Sequence, residues 1–297
     1  ESGTKAARSG TNAKRNENKS EVAENIAQRS ICADAMLKAA KSMSKHRSRL
    51  WKCGVPDESV VGLTCRISYQ MLESATGVVA RKAASADAAL AMIAATVDSA
   101  ECLLGTVVAA LMDLLHSFEH MAPLVAELCC LSQSPSSRLS VELLREIGRL
   151  DTQCMAGGGH GTGGKASGLK NVAPFITELA AVRPRVVLSN ISLVLPHLDS
   201  EPYGLRSAIV SAIGHILEYI GQNKNDKNTD TTEDNTNEEN RMNIAKSRDA
   251  LLDVLCERVY DVSSYTRTAV LKAWIRLAQG GCIPLERVKF VTSFAVD

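Results

Sequence analysis

The sequence predicts an all-α protein built from paired helices. Hydrophobic residues make up 45% of the 297 residues, which is enough to fill a core, whereas aromatic residues make up only 4%. β-Sandwiches and barrels depend on aromatic cross-strand pairs, so the low aromatic content disfavours them. Apolar residues also recur at helical spacing over long stretches, for example over 185–198 and 203–220. Together these observations favour helices packed through aliphatic side chains.

The N-terminal part of the chain is basic. Residues 1–20 contain few apolar side chains and are predicted to form a disordered basic tail. Residues 1–52 hold 12 Lys or Arg against 5 Asp or Glu, whereas the whole chain has a net charge of +1. The near-zero total gives no argument for attraction of the whole protein to nucleic acid, although local patches remain possible. Residues 21–155 are predicted to form the helical N-terminal part of the array.

Two later segments interrupt the helical pattern. A glycine-rich linker is predicted over 156–168, because consecutive glycines lose much conformational entropy in any regular element. A disordered polar insertion is predicted over 221–247, where apolar residues are scarce. The stretches 169–220 and 248–297 are predicted to hold helix repeats, the second of them truncated at the C-terminus.

Between these breaks the predicted helices come in pairs. A helix over 185–198 is followed by the turn residues 199–202 and by a second helix over 203–220. The same arrangement recurs over 251–260 and 265–278, and more roughly over 124–131 and 138–150.

The second helices of the three pairs align on Arg138, Arg206 and Arg267. Removing the linker and the insertion leaves roughly 35 to 55 residues per repeat, which is the HEAT or armadillo range. The sequence therefore predicts an α-solenoid of HEAT-like helix pairs, in which each pair buries its apolar face against its neighbours and loops tolerate insertions.

His116, Glu119 and His120 fit the HxxEH pattern of inverted zinc peptidases, in which two histidines bind metal and the glutamate is the base. The alternative is a helix surface at a repeat junction with Phe118 pointing inward. No clear third ligand follows in the sequence, so we favour the helix surface and predict no metal or other cofactor.

The segment from Gly159 to Lys165 fits GxxxxGK, but Ala166 stands where a phosphate-binding loop needs Ser or Thr for magnesium. The segment also follows a predicted helix, whereas such a loop connects a strand to a helix. We therefore interpret it as part of the linker. No Ser/His/Asp arrangement is evident either, and the sequence predicts no enzyme activity.

An aspartate precedes the arginine of two helix pairs, as Asp199 before Arg206 and Asp261 before Arg267. These arginines are candidates for phosphate contacts. The alternative, which we favour, is a structural ladder between repeats in which the charges neutralise each other and cap helix ends.

Clustered positive charge is all that phosphate binding requires, and the alternative for each basic residue is a single solvated charge on a helix surface. The candidate DNA-binding residues are Lys165, Lys170, Arg183, Arg185, Lys272, Arg276, Arg287 and Lys289.

The cysteines indicate a reducing compartment, because their number is odd and no CxxC pair occurs. They lie at positions 32, 53, 65, 102, 129, 130, 154, 256 and 282. Cys129, Cys130 and His215 are predicted to pack in the core. No apolar stretch is long enough to span a bilayer, and no membrane contact is predicted.

An ordered set of sequence blocks resembles the condensin subunit 1 family, the non-SMC HEAT-repeat subunits of condensin. The longest block runs from Ser189 to Arg206 and contains the helix end, the turn and the arginine described above. The others are 116–120, 144–150, 169–175, 178–180, 248–253, 261–267, Trp274 and 283–285. The resemblance covers roughly residues 100–297 and is weak before residue 95.

The resemblance implies a non-catalytic scaffold that binds the condensin kleisin subunit, works with the SMC ATPase subunits and contacts DNA or chromatin. It also implies a role in mitotic chromosome condensation and a location in the nucleus and on chromosomes, with the cytoplasm possible in interphase. The alternative is another HEAT or armadillo scaffold, such as a transport receptor, an adaptor or a phosphatase scaffold.

Overall fold

The computed structural model describes most of the chain between residues 24 and 289. The described residues are 24, 27–46, 49–51, 55, 57–73, 84–99, 101–131, 138–150, 163–200, 203–225, 236–284 and 287–289. The predicted tail over 1–20 lies outside them, as do residues 156–162 of the predicted linker. The chain divides into two compact units, Glu1–Glu101 and Cys102–Asp297.

The first unit contains three described helices, α1 over 27–45, α2 at Glu58–Glu73 and α3 at Ala84–Ser99. Small side chains allow α1 and α3 to pack closely. Their core cluster consists of Ala33, Met36, Ala40, Ala88, Met92 and Ala95. α2 packs on α3, and Trp51 Nε1 donates a hydrogen bond to the carbonyl of Ser99 at 3.1 Å.

The second unit begins with α4 at Leu104–Ser117, α5 at Met121–Leu131 and α6 at Arg138–Gly148. It continues with α7 at Gly163–Val182, the short α8 at Pro184–Ser189, and two 3₁₀ turns at Ile191–Leu193 and Leu195–Asp199. The last full helices are α9 at Tyr203–Asn225, α10 at Thr236–Arg258 and α11 at Ser264–Gln279.

The odd-numbered helices of the second unit stack in chain order. α5 packs on α7, α7 on α9, and α9 on α11, while α4, α8 and α10 pack against these helices. α7 lies in the middle of this stack, and Phe175, Ile176 and Leu179 on it are fully buried. Each of these odd-numbered helices therefore packs against the next helix but one in the chain, so that successive helix pairs stack as in an α-solenoid.

The predicted fold class is confirmed, because every element of the described residues is helical. The predicted pair over 251–260 and 265–278 corresponds to the end of α10 and to α11, and the pair over 124–131 and 138–150 to α5 and α6. None of the described helices is long and apolar enough to cross a membrane.

The single helix predicted over 185–198 is wrong. α8 ends at Ser189, and two 3₁₀ turns take the chain on to Asp199. The Nδ2 of Asn190 donates to the carbonyl of Val186 at 2.9 Å, an interaction that competes with regular helix geometry. Pro196, within the first two residues of the second turn, lacks the N–H that a continuing α-helix needs.

The predicted limits of the linker and of the insertion are also corrected. α7 begins at Gly163, inside the predicted linker, and α9 and α10 together cover 221–225 and 236–247 of the predicted insertion. The low apolar content of 236–247 is accompanied by exposed side chains at residues 242–244. It does not prevent helix formation, because Glu, Arg, Met and Lys have high helix propensity.

Candidate interaction surface at the loop ends

A buried ion pair joins the start of α9 to the loop before α11. Arg206 lies in the first turn of α9, and Asp261 lies in the loop before α11. Nε and Nη2 of Arg206 donate to Oδ2 and Oδ1 of Asp261, each at 3.1 Å. Only 13% of the arginine side chain and 3% of the aspartate side chain are exposed. This two-point contact fixes the orientation of one helix pair against the next.

A second ion pair joins the end of α10 to the loop before α9. Oδ1 of Asp199 accepts a hydrogen bond from Nη2 of Arg258 at 2.6 Å, and Nη1 of Arg258 donates to the carbonyl of Leu198 at 3.0 Å. Nη1 also lies 3.9 Å from Oδ2 of Asp261. Arg258 therefore bridges the two loops, although the 81% exposure of the Asp199 side chain weakens its pair with the arginine.

Each helix arginine also closes the loop that precedes its own helix. Nη1 of Arg206 donates to the carbonyl of Ser200, and Nη1 of Arg267 donates to the carbonyl of Asp261 at 2.8 Å. Both acceptors lie six residues before the arginine, so the two arginines make the same kind of hydrogen bond to the preceding loop. Of the four residues of the predicted ladder, the structure brings Arg206 and Asp261 together, while Asp199 pairs with Arg258 and Arg267 bonds its own loop.

The contacts around Asp261 keep its carboxylate ionised. Burial raises the pKa of Asp261, but the hydrogen bonds from the Ser263 backbone N–H and from Arg206 lower it, as do the charges of Arg206 and Arg258. The net result is a pKa below the ordinary aspartate value. The loop junction is therefore an ion pair at neutral pH.

Large apolar side chains lie exposed beside this junction. The rings of Tyr203 and Tyr265 stack with centroids 4.9 Å apart and an angle of 19° between their planes, and they are 46% and 65% exposed. Tyr260 and Val262, in the loop that holds Asp261, are 77% and 96% exposed. We call these four residues the loop-end aromatic patch. Exposed tyrosines are enriched at protein-binding surfaces.

The patch was not predicted from the sequence. The signal was present, because a tyrosine stands two or three residues before the arginine at the start of both helices, as Tyr203 before Arg206 and Tyr265 before Arg267. That the two tyrosines meet follows only from how the two helix starts approach each other in space.

The predicted DNA-binding residues differ in their exposure. Arg185, Lys272 and Lys289 are exposed, and Arg183 is half-buried. Lys165 and Lys170 lie in the first half of α7, where the side chains are outside what the structure describes.

Two of the predicted basic residues are held by carboxylates. Nε of Arg276 lies 4.0 Å from Oε2 of Glu218, and Arg287 pairs with Asp253. These two arginines are therefore poorer candidates for phosphate contacts than Arg185 and Lys272.

The HxxEH residues straddle the end of a helix. α4 ends at Ser117, and Phe118 has an extended backbone, so His116 and His120 do not share a helical face. The prediction that these residues form one helix surface is therefore wrong, because the helix ends at Ser117. Phe118 itself is half-buried. In the described part of the chain, no group of three or more His, Cys, Asp or Glu side chains is arranged to hold a metal ion.

The three predicted core residues have different surroundings. Cys129 is buried, and burial raises the pKa of its thiol to about 12. Cys130 is exposed, so the prediction that it packs in the core is wrong, because the neighbouring position of a helix faces another direction. His215 is half-buried, and burial together with the charge of Arg276 lowers its pKa to about 4. The described cysteines are all free thiols.

Comparison with known proteins shows that the chain is similar to condensin subunit 1 proteins. The chain is 28% identical to condensin complex subunit 1 of Xenopus laevis over 250 residues, which are 84% of this chain and 17% of that protein. Condensin complex subunit 1 of Mus musculus is 28% identical over 249 residues, or 83% of this chain and 16% of that protein. The chain is similar to one segment of condensin subunit 1.

A plant condensin subunit is similar over nearly the same share of the chain. Condensin-1 complex subunit CAP-D2 of Arabidopsis thaliana is 26% identical over 242 residues, which cover 81% of this chain and 16% of that protein. No family model matches the chain.

The resemblance to condensin subunit 1 that the sequence blocks predicted is confirmed. Since a match of 250 residues is longer than the stretch 100–297, it also includes residues before position 100. The similarity therefore extends further towards the N-terminus than the sequence blocks indicated. The chain spans about a sixth of the length of the condensin subunit 1 proteins it matches.

Proposed function

We propose that the chain is part of a non-catalytic scaffold subunit of condensin that binds the kleisin subunit and DNA and supports mitotic chromosome condensation. The observation that carries the proposal is the similarity to condensin subunit 1 over 84% of the chain. The stacked helix pairs are in keeping with it, because an α-solenoid presents long continuous surfaces to extended partners.

The proposal is tested by locating the tagged protein in dividing cells. A condensin subunit concentrates on chromosomes in mitosis, whereas a transport receptor or a cytosolic phosphatase scaffold does not. Concentration on mitotic chromosomes is the expected result, and exclusion from them throughout mitosis would contradict the proposal.

The loop-end aromatic patch is the kleisin contact that we propose within this segment. Replacing both stacked tyrosines by alanine (Tyr203→Ala with Tyr265→Ala) is expected to weaken kleisin binding at least tenfold, because buried aromatic anchors dominate interface energetics. Titration calorimetry with the purified kleisin subunit measures the change.

The matched control for the patch is the double variant Leu131→Ala with Val182→Ala. Both residues are exposed and apolar, at 42% and 50%, but lie on α5 and α7. Equal binding by the tyrosine variant and the unchanged protein would remove the patch from the proposed interface, as would an equal loss in the control.

Arg185 and Lys272, two of the three exposed residues of the predicted basic set, are the DNA contacts that we propose. Reversing both charges to glutamate is expected to weaken DNA binding and to lower the slope of log affinity against log salt concentration by about 2, since each phosphate contact contributes roughly 0.9. Fluorescence anisotropy on a DNA duplex over a range of salt concentrations measures the slope.

Lys41 and Lys246 provide the control for this experiment, because both are exposed and neither belongs to the predicted set. Their double reversal to glutamate should leave the slope unchanged. A slope that is the same for all three proteins would show that Arg185 and Lys272 do not contact phosphate.

A further inference from the structure

A groove runs between α4 and α6, away from the loop-end aromatic patch. Its volume is about 560 Å³. Its lining residues are Leu104, Gly105, Val108, Ala109, Met112, Asp113 and His116 from α4, and Glu142, Glu146 and Leu150 from α6 and the residues after it. The α4 residues recur every three or four positions, so they form one face of that helix.

The floor of the groove is apolar and accessible. Val108 and Met112 are packed into the protein, while Leu104 and Leu150 are half-buried and Ala109 is exposed. From Leu104 to His116 the helix rises about 18 Å, which is the length of about three helical turns. The groove therefore suits a short helix that inserts two or three apolar side chains.

The rim of the groove is acidic. Asp113, Glu142 and Glu146 line it, and no lysine or arginine is among the described lining residues. Arg145 on α6 pairs with Glu142, and Arg149, just after the end of α6, pairs with Glu146. These arginines are 41% and 65% exposed and lie outside the lining, so they neutralise the glutamates only in part, and the exposed Asp113 adds a third carboxylate to the rim.

His116 lines one end of the groove. Its Nε2 atom is buried, and no described residue forms a hydrogen bond with it. A buried polar nitrogen without a partner costs roughly 1–3 kcal/mol. Because this atom is buried and not accessible from the groove, His116 contributes the surface of its ring to the lining and does not select the occupant.

We propose that the groove between α4 and α6 binds an amphipathic helix of a partner protein whose apolar face is flanked by lysine or arginine. Charge complementarity selects this occupant, since three carboxylates surround an apolar floor. The site is separate from the kleisin and DNA contacts proposed above and does not depend on them.

The probe is a pair of synthetic 15-residue helical peptides with leucines at helical spacing, one flanked by lysines and the other by glutamates. We expect the unmodified 297-residue chain to bind the lysine peptide at least tenfold more tightly in fluorescence anisotropy. Equal affinity for the two peptides, or no binding of either, would overturn the proposal.

Two variants link the binding to the groove. Ala109→Trp fills the floor and should weaken binding of the lysine peptide at least tenfold, whereas Ala278→Trp, at an exposed alanine of α11, should leave it unchanged. Asp113→Lys, at an exposed position, should reduce the preference for the lysine peptide without filling the floor. If circular dichroism shows folded protein for these variants but their binding is unaltered, the peptide binds elsewhere and the proposal fails.

If Ala109→Trp does not fold, Asp113→Lys alone tests whether the peptide binds in the groove. A preference for the lysine peptide that persists undiminished in this variant contradicts the role of the rim.

Discussion

Replacing Arg206 with methionine is expected to lower the free energy of unfolding by about 3 kcal/mol or more. The change leaves the Asp261 carboxylate buried without its two-point partner, and breaking one side of a buried ion pair typically costs 3–5 kcal/mol. It also releases the carbonyl of Ser200, which Arg206 holds. Urea denaturation of the 297-residue chain, followed by circular dichroism, measures the loss.

Arg149→Met is the matched control, because Arg149, just after α6, forms an exposed pair with Glu146 of that helix. An exposed pair is worth at most about 1 kcal/mol. If the Arg206 variant loses no more stability than the Arg149 variant, the loop junction does not stabilise the stack.

The pH dependence gives an independent measure of the same junction. Because the pKa of Asp261 lies below its ordinary value, the carboxylate contributes stability above the aspartate pKa of the unfolded chain and loses it as pH falls through the folded pKa. The stability difference between the unchanged protein and Asp261→Asn should therefore be largest near neutral pH and shrink in acid. A difference that does not change with pH would show that the charge of Asp261 is not stabilising.

Phe175→Ala is expected to destabilise the second unit by about 3–5 kcal/mol. Phe175 is fully buried on α7, the helix that packs against α4, α5 and α9, and an alanine there leaves a large cavity among three neighbours. Thermal and urea denaturation of the variant measure the effect.

Val182→Ala on the same helix is the control, since Val182 is 50% exposed and its truncation opens no cavity. The expected loss there is about 0.5 kcal/mol or less. Similar losses for the two variants would mean that α7 is not the centre of the stacked core.

Much of the fold was predictable because helical spacing of apolar residues reports burial directly. The limits of α5, α6 and α11 lie close to the predicted ones for this reason. The break between α8 and Asp199 was not predicted, because the apolar positions continue through it and only the local effects of Asn190 and Pro196 end the helix. The helix over 236–247 was missed because low apolar content indicates exposure, not the absence of helix.

The candidate surface was predictable only in part. The repeated aspartate and arginine indicated a junction between helix pairs, but the partners of each residue depend on how the loops meet in space. Arg258 follows no repeat and is 59 residues from Asp199, and the pairing of these two residues left no signal in the sequence. The stacked tyrosines depend on the same close approach of the loops.

We propose that this chain acts as a scaffold within condensin, and affinity purification of the tagged protein from mitotic cells tests that proposal. The kleisin subunit and both SMC ATPase subunits should be recovered with it in comparable amounts. Recovery of transport cargo, adaptor partners or phosphatase subunits, with no condensin subunit present, would contradict it.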